Sequence, residues 1–164
     1  MITITPLREA DAAQYAIAIR QAIHDVPGFP AFARQAETRN NTAIKIRGRL
    51  KKKSYIQLIA KEGRQMVGFC YGTLYAGVGY IQWIGTLRGY RRRGIGKKLV
   101  KAFETAARKR KIHKSWLNTD VDNKASSRLF KSMGYKPVGI VKKHWYGTNN
   151  ILWDKLIGKP RNGR

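Results

Sequence analysis

The order of elements along this sequence predicts an α/β (α+β) fold, with a mixed, mostly antiparallel seven-stranded sheet flanked by about four helices. Three observations support this prediction. The chain has 164 residues and is 43% hydrophobic, enough for one domain with a core. Apolar residues alternate in some segments and recur at helical spacing in others, in the order β-α-α-β-β-β-α-β-α-β-β. A basic, glycine-rich stretch, "GYRRRGIGKKL", joins a strand to a helix.

The N-terminal half predicts one strand, two helices and then three strands. "MITITPL" alternates as a short strand does, and residues 9–25 are alanine-rich with apolar residues at helical spacing. "VPGFP" ends that helix, and residues 31–52 predict a second, strongly basic helix. Residues 54–87 predict three antiparallel strands joined by "EGRQ" and "AGVG", the last of them covering residues 79–87.

The C-terminal half predicts two helices and three strands. From about residue 95, helical spacing places Leu99, Val100 and Phe103 on one apolar face. A strand over residues 114–121 follows, and then "DNKASSRLFKSM" as a helix closed by Gly134. "YKPVGIVKKHWYG" and "NILWDKLIG" predict the last two strands. Residues 1–157 are therefore expected to form one domain, and residues 158–164 a basic tail.

Charge and composition limit the classes of partner and site. The net charge is +25, from 34 Lys and Arg against 9 Asp and Glu, and such a field attracts nucleic acid, phosphorylated cofactors and acidic proteins. The single cysteine, Cys70, excludes an internal disulfide and is expected in the core. The three histidines lack metal-ligand spacing, so no metal is expected. No membrane-spanning run or signal peptide is visible, and a cytoplasmic protein is expected.

The glycine-rich stretch predicts an anion site. It follows a strand and opens a helix, where free backbone N–H groups and the helix dipole favour a negative charge. Gly94 and Gly96 remove side chains that would keep a pyrophosphate away from those donors. A Walker A loop is excluded because Ile95 stands in place of its lysine, and a Rossmann fingerprint because Leu99 replaces its third glycine. R-x-x-G-x-G remains, over residues 91–96.

This motif resembles the acetyl-CoA pyrophosphate loop of the GCN5-related N-acetyltransferases, the GNAT family. A second segment, "DNKASSRLFKSMGY", is similar to the family's N-x-x-A-x-x-L-Y-x-x-x-G-F signature, and the likeness covers most of residues 50–157. "YIQWIGTLRGYRRRGIG" and "KKHWYG" resemble the protein N-terminal acetyltransferases and the ribosomal-protein alanine acetyltransferases. The matching positions of the second motif are Asn123, Ser126, Leu129, Phe130, Gly134 and Tyr135.

The resemblance implies transfer of an acetyl group from acetyl-CoA to a primary amine in a ternary complex. It also implies that strands 79–87 and 114–121 splay apart, so that pantetheine lies between them. Main-chain groups of Gly85, Thr86 and Leu87 and the loop amides would bind the coenzyme, and basic side chains would meet the adenosine phosphate. For the basic side chains, an exposed, solvated face is an equally good interpretation. The residues assigned to acetyl-CoA are Gly85, Thr86, Leu87, Arg91, Arg92, Arg93, Gly94, Ile95, Gly96, Lys97, Asn123, Ser126 and Phe130.

The sequence departs from the family at two catalytic positions. Phe130 stands where a tyrosine acid is usual, and Asn118 stands where some relatives have a Glu or His. The similarity to N-terminal acetyltransferases implies that Tyr80, with Asn118, orients a water that relays the proton of the amine. It also implies that Tyr146, beside Trp145, gates the substrate and protonates the leaving thiolate. Ordinary strand aromatics are the alternative interpretation, and Asp120 and Glu104 are weaker candidate bases.

The acceptor is predicted from pKa values. An α-amine, with a pKa of about 8, starts roughly two units closer to its reactive form than lysine at about 10.4. The positive field favours it further, unless an acidic pocket forms from Glu9, Asp11, Asp25, Glu37 or Glu62. Two alternatives stay open: a small-molecule amine acetyltransferase, and a ribosome- or nucleic-acid-associated protein using the basic runs 45–53 and 108–114. A monomer or homodimer with no membrane partner is expected.

Overall fold

The structure, a computed structural model, describes residues 1–160. Seven strands form one mixed sheet in the order β1-β2-β3-β4-β5-β7-β6, and five α-helices cover its two faces, which confirms the predicted fold class. The strands are β1 (Ile2–Pro6), β2 (Tyr55–Glu62), β3 (Gln65–Tyr75), β4 (Val78–Thr86), β5 (Lys114–Asp120), β6 (Lys136–Val141) and β7 (Asn150–Leu156). The helices are α1 (Ala12–His24), α2 (Ala31–Asn40), α3 (Ala43–Leu50), α4 (Ile95–Lys109) and α5 (Lys124–Ser132).

The prediction of a single helix over residues 31–52 is wrong, because the chain breaks there into α2 and α3. Thr42 is the N-cap of α3, and its hydroxyl accepts the amide proton of Lys45 at 3.4 Å. Asn41 is buried at the break, where its amide group donates to the carbonyl oxygen of Glu37 at 2.8 Å and its oxygen accepts from Tyr71 at 2.8 Å. This short polar side chain offers the backbone an alternative to a continuous helix.

Strands β4 and β5 splay apart, which the resemblance implied. Their parallel ladder covers three pairs, from Val78 opposite Lys114 to Tyr80 opposite Trp116. Beyond that point a register shift in the β3–β4 ladder, between Tyr71 and Gly72, bends β4 away. The edges of both strands therefore open into a cleft.

Two hydrophobic clusters hold the helices on opposite faces of the sheet. Leu99 and Phe103 of α4 are fully buried against one face, and Tyr15 of α1 is fully buried against the other. A Cβ at Gly72 would lie 2.0 Å from the carbonyl oxygen of Tyr80, so a side chain there would push β3 and β4 apart. Cys70 is fully buried, as expected, and burial raises the pKa of its thiol.

The C-terminal strands are shorter than predicted. β6 ends at Val141, and residues 142–149 form a loop closed by a hydrogen bond from the amide of His144 to the carbonyl oxygen of Thr148 at 2.7 Å. Part of the expected tail is fixed, since the amide of Gly158 donates to the carbonyl oxygen of His113 at 3.1 Å. Residues 161–164 lie outside the described residues. Within residues 1–160, no helix combines the length and apolar character needed to cross a bilayer.

Candidate active site

The cleft between β4 and β5 has a volume of about 1110 Å³. The N-terminus of α4 and the start of α5 form one end of it, while α2 and the 142–149 loop form the other. The fold thus places an anion-binding helix start and a group of polar aromatic side chains at two ends of one continuous space.

The backbone of the glycine-rich loop presents free donors at the first end. Gly94 is the N-cap of α4 with a left-handed φ of +76°, a conformation that suits glycine. The amides of residues 92–97 have no hydrogen-bond acceptor within residues 1–160. Together with the helix dipole, these groups suit a phosphate or pyrophosphate. The amide of Arg91 is not among them, because it donates to the carbonyl oxygen of Arg88 at 3.3 Å.

Most of the residues assigned to the coenzyme line the cleft, but some do not. Arg92, Gly94, Ile95, Gly96 and Lys97 line it, as do Gly85, Thr86, Asn123, Ser126 and Phe130. Leu87 does not, because its amide donates to Val67 of β3 at 3.0 Å and its side chain packs beside the α1 cluster. Arg93 is also turned away, in an ion pair with Glu62. In this conformation neither Leu87 nor the side chain of Arg93 faces the cleft, while the amide of Arg93 remains among the free donors of the loop.

Arg91 lines the cleft, but its guanidinium has internal partners. It forms an ion pair with Asp25, which Arg88 also binds, and it donates to the carbonyl oxygen of Thr86 at 3.2 Å. The hydrogen bond from Arg88 is the largest influence on Asp25 and lowers the pKa of its carboxyl group, and Arg91 adds to this effect while burial opposes it. Asp25 thus fixes the loop before α4 instead of offering a free carboxylate.

On the α5 side, Asn123 and Phe130 have structural roles. Asn123 is the N-cap of α5, and its oxygen accepts the amide proton of Ser126 at 3.1 Å. Phe130 is buried edge-on against Tyr135, with ring centroids 5.4 Å apart. A phenylalanine cannot donate a proton, so Phe130 does not supply the general acid that a tyrosine usually supplies at this position.

Tyr80 and Asn118 lie together in the cleft where the strands part. The hydroxyl of Tyr80 donates to the side-chain oxygen of Asn118 at 2.7 Å, and its ring stacks on Trp116 with a centroid distance of 4.3 Å. Burial, and then the charge of Glu37, raise the pKa of Tyr80 to about 12. Asn118 in turn donates to Asn150. The pair can orient a water molecule, but neither member is a base near neutral pH.

Glu37 of α2 reaches the other end of the cleft. One carboxylate oxygen accepts the hydroxyl proton of Tyr146 at 2.6 Å, and the other accepts from the indole of Trp83 at 3.0 Å. No cation within residues 1–160 forms an ion pair with it. In a chain with a net charge of +25, this carboxylate is an unneutralised negative charge inside the cleft.

Tyr146 is held in place by the groups around it. Phe29 and Phe32 contact its ring edge-on, with centroid distances of 5.6 Å and 5.9 Å, and its backbone has a left-handed φ of +55°. Burial, and then its hydrogen bond to Glu37, raise the pKa of Tyr146 to about 12. Its proton is engaged by the carboxylate, so in this conformation Tyr146 orients Glu37 and is not a free acid for the leaving thiolate.

The two other candidate bases, Glu104 and Asp120, have different surroundings. Buried Glu104 accepts two hydrogen bonds from Lys155, at 2.8 Å and 3.1 Å, and joins α4 to β7. Asp120 also lines the cleft, where its carboxylate accepts the backbone amide of Asp122 at 2.8 Å. Of the five residues named as a possible acidic pocket, Glu37 is the one that lines the cleft without an ion pair to a basic side chain within residues 1–160. The sequence indicated only that Glu37 carries a negative charge. It did not predict a position in the cleft, because a glutamate on a polar helix is usually solvated.

Comparison with known proteins identifies the family. The family model for the Acetyltransferase (GNAT) family matches residues 19–135, more than half of the chain, and both sequence motifs lie within that range. The chain belongs to the GNAT acetyltransferase family. It is therefore an acetyl-CoA-dependent acetyltransferase. No curated protein matches the sequence.

Solved structures of GNAT acetyltransferases share this fold at low sequence identity. The ribosomal-protein-S18-alanine N-acetyltransferase of Escherichia coli is 20% identical with a TM-score of 0.73, over 100% of this chain and 99% of that one. The ribosomal-protein-S5-alanine acetyltransferase of Vibrio fischeri is 16% identical with a TM-score of 0.77, over 97% and 96%. The PaiA N-acetyltransferase of Thermoplasma acidophilum, in complex with coenzyme A, is 16% identical with a TM-score of 0.79, over 95% and 99%.

Proposed function

We propose that this GNAT acetyltransferase acetylates a primary α-amine, such as the N-terminus of a protein or peptide. The observation that carries the proposal is the carboxylate of Glu37, which lies in the cleft without a cationic partner in the described part of the chain. A negative charge at this point suits an ammonium group that enters from the end opposite the helix start. The proposal places the enzyme in the cytoplasm, where protein N-termini are made.

The residues of the glycine-rich loop fit acetyl-CoA. The free amides of residues 92–97 and the N-terminus of α4 would hold its pyrophosphate, and exposed Arg92 and Lys97 would meet the adenosine phosphate. Gly85 and Thr86 lie on the open edge of β4, where main-chain groups can bind pantetheine. The coenzyme, when bound, supplies the acetyl thioester that the amine attacks.

The amine end of the cleft provides charge and orientation instead of a strong base. Glu37 would hold the substrate ammonium, with Tyr146 and Trp83 fixing both carboxylate oxygens. The hydroxyl of Tyr80 stays neutral far above physiological pH, because its pKa is about 12, so it orients a water without ionising. The ammonium would first lose one proton through the oriented water. The neutral nitrogen would then bond to the acetyl carbon as the bond from that carbon to sulfur breaks, and the second proton of the nitrogen would pass to the departing sulfur.

Within residues 1–160, Tyr80 and Asn118 are the side chains placed to orient this water and neither is a strong base, which favours α-amines over lysine side chains. An α-amine has a pKa of about 8 and lysine about 10.4, so the neutral fraction near pH 7.5 differs by a factor on the order of 10². Ribosomal-protein-alanine acetyltransferases are among the proteins that share this fold, and their acceptors, protein N-termini, are of the class proposed here.

A turnover screen with free-thiol detection tests the proposal. The acceptors are a peptide with a free N-terminal alanine, the Nα-acetylated form of the same peptide carrying one lysine, and a small diamine. We expect kcat/KM to be at least about tenfold higher for the free N-terminus. Preference for the diamine would support the small-molecule alternative and overturn the proposal.

A further inference from the structure

Two basic runs that are distant in sequence lie side by side at the end of the sheet away from the cleft. We call residues 51–53 and 108–111 the basic rim. The guanidinium of Arg110 joins them, since it donates to the carbonyl oxygens of Lys53 and Tyr55, each at 2.8 Å. Helix α4 has 15 residues and is about 22 Å long, and it begins at the cleft and ends at the rim. The rim is thus separate from the coenzyme end.

The cations of the rim are exposed and not neutralised. Each of them is exposed, and none forms an ion pair with an Asp or Glu within residues 1–160. By contrast, Lys61, Arg93 and Lys155 elsewhere on the surface have carboxylate partners. A concentration of like charges without counterions inside the protein attracts a polyanion at low cost in desolvation.

An exposed aromatic ring and a hollow lie beside the rim. Tyr75 ends β3 with 85% of its surface exposed. The β2–β3 ladder pairs Tyr55 with Thr73, and the amide of Leu74 donates to the carbonyl oxygen of Ser54 at 2.7 Å, which places Tyr75 next to the 51–53 run. Next to Tyr75 in the chain, Ala76 and Gly77 line a hollow of about 400 Å³ together with residues 110–113.

We propose that the basic rim, Tyr75 and the adjoining hollow form a binding site for single-stranded nucleic acid. The cations would contact successive phosphates, and the ring of Tyr75 would stack on an unpaired base, the combination typical of single-strand recognition. A duplex does not offer a base face to an exposed ring, which favours the single strand. An acidic protein would use the cations alone and leave the ring without a role. This site does not depend on the acetyl acceptor.

Fluorescence anisotropy with a labelled 12-nucleotide oligouridine RNA tests this site across a range of KCl concentrations. The rim variant replaces Lys51, Lys52 and Lys53 with Gln. The control replaces the exposed cations Arg8, Arg20 and Arg64 with Gln, which removes the same charge from other parts of the surface. We expect the rim variant to bind at least about tenfold more weakly at 100 mM salt, with a salt slope smaller by about 2, and the control to change Kd less than about threefold.

Variants of Tyr75 separate the contribution of base stacking to RNA binding from that of charge. We expect Tyr75→Ala to weaken binding about tenfold without changing the salt slope, and Tyr75→Phe to restore the affinity to within about twofold. Thermal unfolding of every variant checks that the fold is kept. Equal losses in the rim and control variants, no effect of Tyr75→Ala, or competition by polyglutamate as strong as that by RNA would each overturn the proposal.

Discussion

Glu37 is the residue on which the interpretation of the acceptor site depends. Its two oxygens are oriented by Tyr146 and Trp83, and its charge is not neutralised by a cation within residues 1–160. A carboxylate oriented in this way by neutral donors keeps its charge available to a ligand. Tyr146, which donates to this carboxylate, has a left-handed backbone with a φ of +55°.

Glu37→Gln should raise KM for the peptide acceptor by about 10- to 100-fold, because the charge that holds the ammonium is lost while the side-chain shape is kept. The affinity for acetyl-CoA should stay unchanged, as measured by calorimetry. Glu9→Gln is the matched control, since Glu9 is an exposed carboxylate whose nearest cation, Arg47, lies 3.9 Å away. An unchanged KM in Glu37→Gln would remove this residue from the acceptor site.

Tyr80→Phe should lower kcat by about 10- to 100-fold, because Asn118 alone no longer orients the proton-relaying water. Tyr75→Phe, which changes a tyrosine far from the cleft, serves as the control for loss of a hydroxyl. Full kcat in Tyr80→Phe would leave Tyr80 with a packing role only.

The pH profile of the wild-type enzyme follows from the same tyrosine. With its pKa raised to about 12, the hydroxyl of Tyr80 stays protonated up to at least about pH 10. The value of kcat/KM should therefore rise with pH through the pKa of the amine, near 8, and then stay level to pH 10. A fall between pH 8 and 10 would contradict the assignment of a neutral tyrosine.

Two matched glycines test whether the loop that begins α4 binds the coenzyme. Gly94 and Gly63 both have a left-handed φ, of +76° and +58°, and a Cβ on either would meet open space. Gly94→Ala and Gly63→Ala should each cost about 1 kcal/mol of unfolding free energy in urea titrations. Gly94→Ala alone should weaken acetyl-CoA binding, by about tenfold, since it alone changes the anion loop. Equal affinities in both variants would contradict the loop assignment.

The ion pairs of Asp25 fix the loop before α4, and their contribution depends on pH. The pKa of Asp25 is lowered in the folded protein, so its stabilising effect is present above the unfolded pKa, near 3.9, and is lost as pH falls through the folded value. Asp25→Asn should lower the urea midpoint at pH 7, and the difference from wild type should narrow at pH 3. A constant difference would show that the loss comes from packing instead of charge.

The elements show which parts of the fold a sequence can predict. The α4 start was predictable, because its glycines and apolar face are local features, and so was the strand before it. The break between α2 and α3 was missed, since it depends on the buried side chain of Asn41 and its partner Tyr71 from a distant strand. Glu37 was named only as one of five acidic residues, because its contacts come from β4 and the 142–149 loop.

Charge is distributed unevenly over the whole molecule. The net charge of +25 is spread unevenly: the coenzyme end and the basic rim carry exposed cations, and the acceptor end holds the carboxylate of Glu37. The composition predicted an attraction to anions, but the local reversal of sign at Glu37 arises only when α2 folds over β4. Under the proposed function, the acceptor would be selected by a local charge opposite to that of the surrounding surface.

Mass spectrometry of one peptide with a free N-terminus and one internal lysine tests whether the enzyme acetylates the α-amine. After incubation with acetyl-CoA at pH 7.5, fragmentation locates the acetyl group on one amine or the other within the same molecule. We expect acetylation of the α-amine in large excess over the lysine. Acetylation mainly on the lysine, or none on either amine while a small diamine is acetylated, would contradict it.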